Sequence, residues 1–272
     1  MRVLLTNDDG IEAEGLQTLR RALLAVPGIE LAVIAPDGNR SATARSITTR
    51  RPIWVEEIDF GDGTSGFATD GTPVDCVRFA TLGLIDGFEA ELIVSGINHG
   101  ANLGDDITYS GTVAAAFEGI LLGIPGIAVS QQSAAREMMD FRLGEAFDFD
   151  RAAAFTARVV EEIEDLPLPG GTLLNLNFPA GEIGGVEVAK LGKRIYGDAL
   201  SLEEQDGARR LFRIYGEAHG YHREEGTDLH AVAEGRVAVT PLHFDLTDEP
   251  GMETLRAHDL ARLLEPAVRE VE

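Results

Sequence analysis

Leu4-Leu5-Thr6-Asn7-Asp8-Asp9-Gly10 decides how this chain is organised: a run over residues 2–6, apolar from Val3 on, stops abruptly at an amide, two adjacent carboxylates and a glycine. A short, continuous apolar run is the signature of a strand buried on both faces. Beyond the NDDG turn, Leu16, Leu19, Leu23 and Leu24 recur at helical spacing, and residues 30–35 form a second apolar strand closed by Pro36-Asp37-Gly38. Strand, helix and strand in roughly 35 residues is the size of a right-handed βαβ unit. The chain therefore predicts an α/β fold with a parallel sheet.

The unit repeats along the chain. Residues 92–95 predict another buried strand, followed by a glycine-rich loop over 96–111, a helix over 112–123 and a strand over 127–130. A helix over 149–164 and a strand over 172–177 continue the alternation. Between the first unit and residue 92, Thr72-Pro73-Val74-Asp75 is a helix start, with threonine as N-cap, proline at the first helical position and an acid three residues after the cap. Cys76, Phe79, Ala80 and residues 82–84 would then face the core, which makes Cys76 a packing residue. Residues 46–60 read as an extended hairpin lying off the main sheet. Over 186–235 the periodicity weakens into a hairpin-bearing excursion containing Tyr196, Phe212, Tyr215 and Tyr221. A short helix starting at 226–228, a strand over 236–242 and an amphipathic helix over 252–264 close the chain. The expected organisation is a core over 1–190, an arm over 191–235, and a strand and helix over 236–272 that complete the core.

With a net charge of −23 over 272 residues, the chain lacks the clustered Lys and Arg that coat a phosphate backbone. Its only lysines are Lys190 and Lys193. Two explanations of this balance stay open: adaptation to a salt-rich cytoplasm, or a coding bias toward arginine with a solvated acidic surface. Cys76 is the sole cysteine, so an intramolecular disulfide and an all-thiolate zinc site are excluded, and a reducing, cytoplasmic setting is expected. The most apolar stretch, 112–130, is broken by Glu118 and Pro125, and no membrane association is expected.

Asp8 and Asp9 stand side by side at a strand end. One aspartate would serve as a helix cap, but two together with Asn7 exceed that need and point to a cation that relieves their repulsion. Oxygen donors without nearby Cys or His select a hard ion, Mg²⁺ or Mn²⁺, which retains several waters and can activate one for attack on phosphorus or a carbonyl carbon. In the 95–104 segment, glycines permit close approach of the backbone to a ligand, and Asn98 and Asn102 supply neutral polar groups. Ser110-Gly111-Thr112 opens an alanine-rich helix; it fits either plain N-capping or an anion such as phosphate held by the helix N-terminus. The G-x-G-x-x-G, Gly-Lys and G-x-S-x-G signatures of dinucleotide, triphosphate and serine-hydrolase sites are missing from these positions.

These blocks resemble the SurE family, the survival-protein nucleotidases. TNDDG at 6–10, APDGNRSA at 35–42, GTPVDCV at 71–77, SGINHGANLGDDITYSGTVAAAFEG at 95–119 and TDLHAVAEGRVAVTPL at 227–242 are similar to that family's motifs, in its order. The resemblance implies a Rossmann-like three-layer sandwich with a mostly parallel sheet and a hairpin-bearing C-terminal excursion, assembled as a homodimer or homotetramer by arms exchanged between subunits. It implies one divalent ion per subunit, Mg²⁺ or Mn²⁺, held by Asp8, Asp9, Ser41 and Asn98; Ser41 rests on the resemblance alone. Asn7, Gly10, Asn102, Ser110, Gly111 and Thr112 are placed with the phosphate and substrate. His99 could protonate a leaving alcohol, although a solvated surface histidine is the favoured reading.

The expected activity is hydrolysis of nucleoside 5′-monophosphates, with 3′-monophosphates and short polyphosphate as further substrates, by a metal-activated water that Asp8 or Asp9 orients or deprotonates. The alternative is a nucleotide-binding sensor or partner-binding protein that keeps the metal pocket without turnover. A metal-dependent hydrolase of carboxylic esters ranks third, because the helix start suits an anion.

Overall fold

Val3, Leu4 and Leu5 are all fully buried, so strand β1 (Arg2–Thr6) carries apolar layers on both faces and must lie inside its sheet. A computed structural model describes residues 1–134, 146–197, 200–214 and 220–264, and in it β1 occupies the middle of a nine-stranded sheet. Helix α1 (Glu14–Leu24) leads to β2 (Glu30–Pro36), which runs parallel beside β1 with Leu5 opposite Val33. Leu16, Leu19 and Leu23 of α1 are buried, whereas Leu24 is exposed.

Strands β3 (Val55–Asp59) and β4 (Ser65–Thr69) form an antiparallel hairpin, and β4 pairs in parallel with β2. This corrects two expectations: the hairpin begins at residue 55 rather than 46, and it belongs to the main sheet. The turn is set by Gly61 and Gly63, at φ 77° and 86°, a conformation that glycine adopts without penalty. Helix α2 (Pro73–Thr81) starts with the expected capping box, Thr72 Oγ1 accepting the Asp75 N–H at 3.2 Å and Asp75 Oδ2 accepting the Thr72 N–H at 2.9 Å. Cys76 and Ala80 are buried as expected, but Leu82, at the helix C-cap, is exposed.

The sheet continues through β5 (Leu92–His99), helix α3 (Gly111–Leu121), β6 (Gly126–Gln131), helix α4 (Asp150–Glu162) and β7 (Thr172–Phe178). A 3₁₀ turn, Gly104–Tyr109, precedes α3. Leu5, Leu16, Leu19 and Val160 lie in one core layer, under α1 and α4; Leu4, Cys76, Val77 and Ala115 lie in the other, under α2 and α3. The result is the expected α/β sandwich of three layers.

After β7 the chain places β8 (Val186–Val188), β9 (Arg194–Ile195), the hairpin β10 (Ser201–Asp206) and β11 (Arg209–Arg213), and β12 (Gly220–Tyr221), which pairs with β9. Every residue of β10 and β11 is exposed, so this hairpin stands away from the core. Helix α5 (Asp228–Ala233) buries Leu229 and Val232 against Leu103 and Ala238. Strand β13 (Val237–His243) then joins the main sheet, antiparallel to β7 and parallel to β8.

The closing helix expected over 252–264 is instead helix α6 (Glu249–Arg256), with Pro250 in its first turn, and a 3₁₀ turn Leu260–Leu264. None of their residues is buried, so the amphipathic pattern is real but does not enter the core. Residues 198–199 and 215–219 of the expected arm, Tyr215 among them, and 265–272 of the closing segment lie outside the described residues. Among those described, no helix is long and apolar enough to cross a membrane.

The strand order β3-β4-β2-β1-β5-β6-β7-β13-β8 places β2 on one side of β1 and β5 on the other. Connections therefore leave in opposite directions at β1 and β5, and their carboxyl ends border the crevice where open α/β sheets bind ligands. Thr6 pairs with Ser95 at this border, so the NDDG turn and the 96–104 segment emerge side by side.

Candidate active site

The NDDG turn is closed by its own asparagine. Asn7 is fully buried; its Nδ2 donates to Gly10 O at 2.9 Å and its Oδ1 accepts the Gly10 N–H at 3.1 Å. Gly10, at φ 113°, faces Gly38 so closely that a Cβ would lie 3.1 Å from the Gly38 Cα. Asn7 and Gly10, placed with the substrate on sequence grounds, thus fold the turn and present Asp8 and Asp9 to the crevice.

Both carboxylates are buried. Asp8 is 3% exposed, and its Oδ1 accepts a 2.5 Å hydrogen bond from Thr112 Oγ1. The same hydroxyl oxygen lies 3.4 Å from Asn98 Oδ1, which makes the Asp8 and Asn98 oxygens neighbours. Asp9 Oδ2 accepts the His99 backbone N–H at 3.0 Å, and its Oδ1 accepts Asn39 Nδ2 at 3.3 Å. Burial, joined at Asp8 by repulsion from the Asp9 charge, pushes both carboxyl groups up to about 6; Thr112, through hydroxyl and backbone N–H, and the His99 N–H act in the opposite sense.

Asn98 reaches the site through an irregularity in β5. Ser95 pairs with Ala128 but Asn98 with Ser130, so one extra residue bulges from the strand at Gly96-Ile97. Gly96 is indispensable there, at φ 137° with Val129 O only 2.3 Å from where a Cβ would sit. Asn98 Nδ2 donates to Gly100 O at 2.7 Å, which turns its Oδ1 toward Thr112 and Asp8.

Ser41 lies on an exposed loop laid against the turn by backbone contacts. Arg40 N–H donates to Asp8 O at 2.6 Å, and Ser41 N–H donates to Asn39 Oδ1 at 2.9 Å. Asn39, which sequence reasoning passed over, thus joins Ser41 to Asp9 through its two amide atoms. At the other side of the crevice Ser110 Oγ accepts the Val113 N–H at 3.1 Å, so its hydroxyl caps α3.

His99 differs from the solvated surface histidine expected from the sequence. Its ring stacks against Phe147 and Phe149 at centroid distances of 5.1 and 5.0 Å, with Nδ1 3.8 Å from Asp9 Oδ1. Burial lowers its pKa, against the opposing charges of Glu14 and Asp8. Asn102 is half-buried and tied by both backbone groups to Asn177, with its Nδ2 donating to Ser130 Oγ at 2.7 Å. Asn175-Leu176-Asn177, two amides on one face of a buried strand, was a legible signal for these partners.

Among the described residues, no group of three His, Cys, Asp or Glu side chains could hold a metal ion. Asp8 and Asp9 supply two carboxylates, and any further protein ligands must be neutral oxygens. Asn98 Oδ1 meets that requirement, and the buried, mutually repelling carboxylates favour a hard cation.

Comparisons with known proteins agree with this architecture. The sequence matches the survival protein SurE family over residues 3–198. A Rubrobacter xylanophilus protein named 5′-nucleotidase SurE is 48% identical over 268 residues, 97% of this chain and 99% of that one. Its Geobacter sulfurreducens namesake is 42% identical over 264 residues, covering 96% and 95% of the two chains. The crystal structure of the SurE protein from Aquifex aeolicus aligns with a TM-score of 0.78 at 36% identity, over 94% of this chain and 99% of that one. The chain belongs to the SurE family.

Proposed function

We propose that the protein is a 5′-nucleotidase that hydrolyses nucleoside 5′-monophosphates to nucleoside and phosphate. A single observation carries this reading: two buried carboxylates, Asp8 and Asp9, meet the N-terminus of α3 at the sheet's switch point, where Thr112 Oγ1 donates to Asp8 at 2.5 Å. The names of the relatives from Rubrobacter xylanophilus and Geobacter sulfurreducens support it.

One divalent ion per subunit, Mg²⁺ or Mn²⁺, fits the donor set of Asp8, Asp9, Asn98 and Ser41. When bound, such an ion supplies positive charge to the phosphoryl oxygens and acidifies a water. The chain's own residues do the rest. Thr112 fixes the Asp8 carboxylate, the His99 N–H and Asn39 fix that of Asp9, and the pair orients the attacking water and accepts its proton on a carboxylate oxygen. Asn102 and the positive end of α3 face the developing charge on the phosphoryl oxygens. Ser110 holds that helix start in place. This recognition addresses a terminal phosphoryl group, so 3′-monophosphates and short polyphosphates fall within its reach. We assign the assembly as a homodimer or homotetramer, with the exposed β10–β11 hairpin as the exchanged arm, and the setting as the cytoplasm.

The test is phosphate release from AMP, GMP, 3′-AMP and tripolyphosphate, with Mn²⁺ and with EDTA, in the wild type and in Asp8→Asn. Release that requires the ion and disappears in Asp8→Asn, at an unchanged circular dichroism spectrum, is the expected result. Undiminished release by Asp8→Asn would refute the assignment, and binding of nucleotide without any release would favour a sensor.

A further inference from the structure

Asn98, Ser130 and Asn177 form one register row across β5, β6 and β7. The first of these faces Asp8; the other two hold Asn102. We propose that Asn177, assisted by Asn175 and Ser130, is a positioning residue that fixes Asn102 for phosphoryl binding, so that side chains buried in the sheet set phosphate affinity without touching the substrate. The inference rests on the assignment of Asn102 to the phosphate.

Asn177 is fully buried, and it grips one residue at two points. Its Oδ1 accepts the Asn102 N–H at 2.8 Å, and its Nδ2 donates to the Asn102 carbonyl at 3.0 Å. Asn175 Nδ2 donates to the same carbonyl at 3.0 Å. In a buried strand an amide without partners is destabilising, whereas the neighbouring leucines of β7 carry no such cost. The amides therefore need a purpose, and their shared target is one loop residue. Their geometry replaces the strand ladder that the Asn102 backbone lacks, and it fixes both the position and the tilt of that segment.

Ser130 completes the support on the side chain. Its Oγ lies 2.7 Å from Asn102 Nδ2, and a hydroxyl both donates and accepts, so it holds the Asn102 amide whichever polar end turns to the crevice. Backbone and side chain of Asn102 are thus fixed before any ligand arrives. Preorganisation of this kind reduces the ordering cost of binding.

The experiment measures binding of inorganic phosphate by calorimetry at saturating Mn²⁺, together with KM and kcat for AMP, in the wild type, Asn102→Ala, Asn177→Ala and the double variant. Asn177→Ala should weaken phosphate binding and raise KM roughly tenfold, with a smaller change in kcat. In the Asn102→Ala background it should add nothing, the signature of a residue that acts through another. Should Asn177→Ala fail to fold, Asn175→Ala, which removes one donor to the same carbonyl, takes its place with a smaller shift in the same direction. Unchanged phosphate binding in the β7 variant, or a full multiplication of its effect with that of Asn102→Ala, overturns the inference. Unchanged phosphate binding in Asn102→Ala overturns it as well, by removing the contact on which it rests. Calorimetry reads phosphate without turnover, so a protein that binds phosphate but releases none would sink the nucleotidase reading alone.

Discussion

Gly111 lies so close to Asp8 that a Cβ placed on it would be 2.8 Å from both the Cβ and Oδ2 of the aspartate. The first turn of α3 therefore rests on a buried carboxylate, and its positive end faces that charge. Gly111→Ala forces either the helix or the NDDG turn to move, because Asp8 is short and enclosed. A displacement approaching 1 Å costs roughly a hundredfold in rate where the geometry is catalytic. Steady-state hydrolysis of AMP should show that loss with little change in melting temperature, and retention of most activity would mean that the contact is dispensable.

Buried aspartates with pKa values near 6, against 3.8 in their ordinary environment, bind protons in the folded state that the unfolded chain has already released. Their contribution to stability is full below about pH 4 and is lost as pH rises through 6. The cation-free protein should thus be less stable at pH 7.5 than a variant with Asp8→Asn and Asp9→Asn, and the gap should close toward pH 4. Mn²⁺ should reverse the order at pH 7.5 and do little at pH 5, since it competes with the same protons. Thermal melts of both proteins with EDTA and with Mn²⁺ check the sign at each pH.

The sequence carried the site's anionic half openly, because an apolar strand that ends in two acids is a local conflict visible in consecutive letters. The α2 capping box was equally local. Ser41 was not legible from its chemistry, since its relation to Asp9 runs through Asn39, thirty positions from that aspartate, and exists only once β2 lies beside β1. Residues 46–54 read as extended together with 55–59, but only 55–59 pair, across the turn that Gly61 and Gly63 form at positive φ. For 252–264 the letters revealed an apolar face but not what would cover it, and none of its described residues is buried. Asn175 and Asn177 were conspicuous as polar letters in a buried strand, yet their target lies in a loop more than seventy residues away.

Glu118 yields the last prediction. It read in the sequence as a break in an apolar stretch, yet its side chain is 1% exposed and is shared by two arginines: Arg45 Nη2 at 2.5 Å and Arg78 Nη2. The Arg45 guanidinium also covers the Phe244 ring, 5.0 Å from its centroid. Both arginines are partly exposed and regain solvent when the carboxylate is removed, whereas the carboxylate cannot. The cost is therefore asymmetric. Loss of one arginine leaves the other in place and should lower stability by about 1 kcal/mol, whereas loss of both strands a buried charge and should cost about 3–5 kcal/mol. Glu118→Met, which removes the charge and keeps the volume, should be nearly neutral, and on that background the two arginine deletions should cost little more. Urea unfolding of the five variants tests this. A double deletion that equals the sum of the singles would show that Glu118 reaches water when unpaired and would refute the asymmetry.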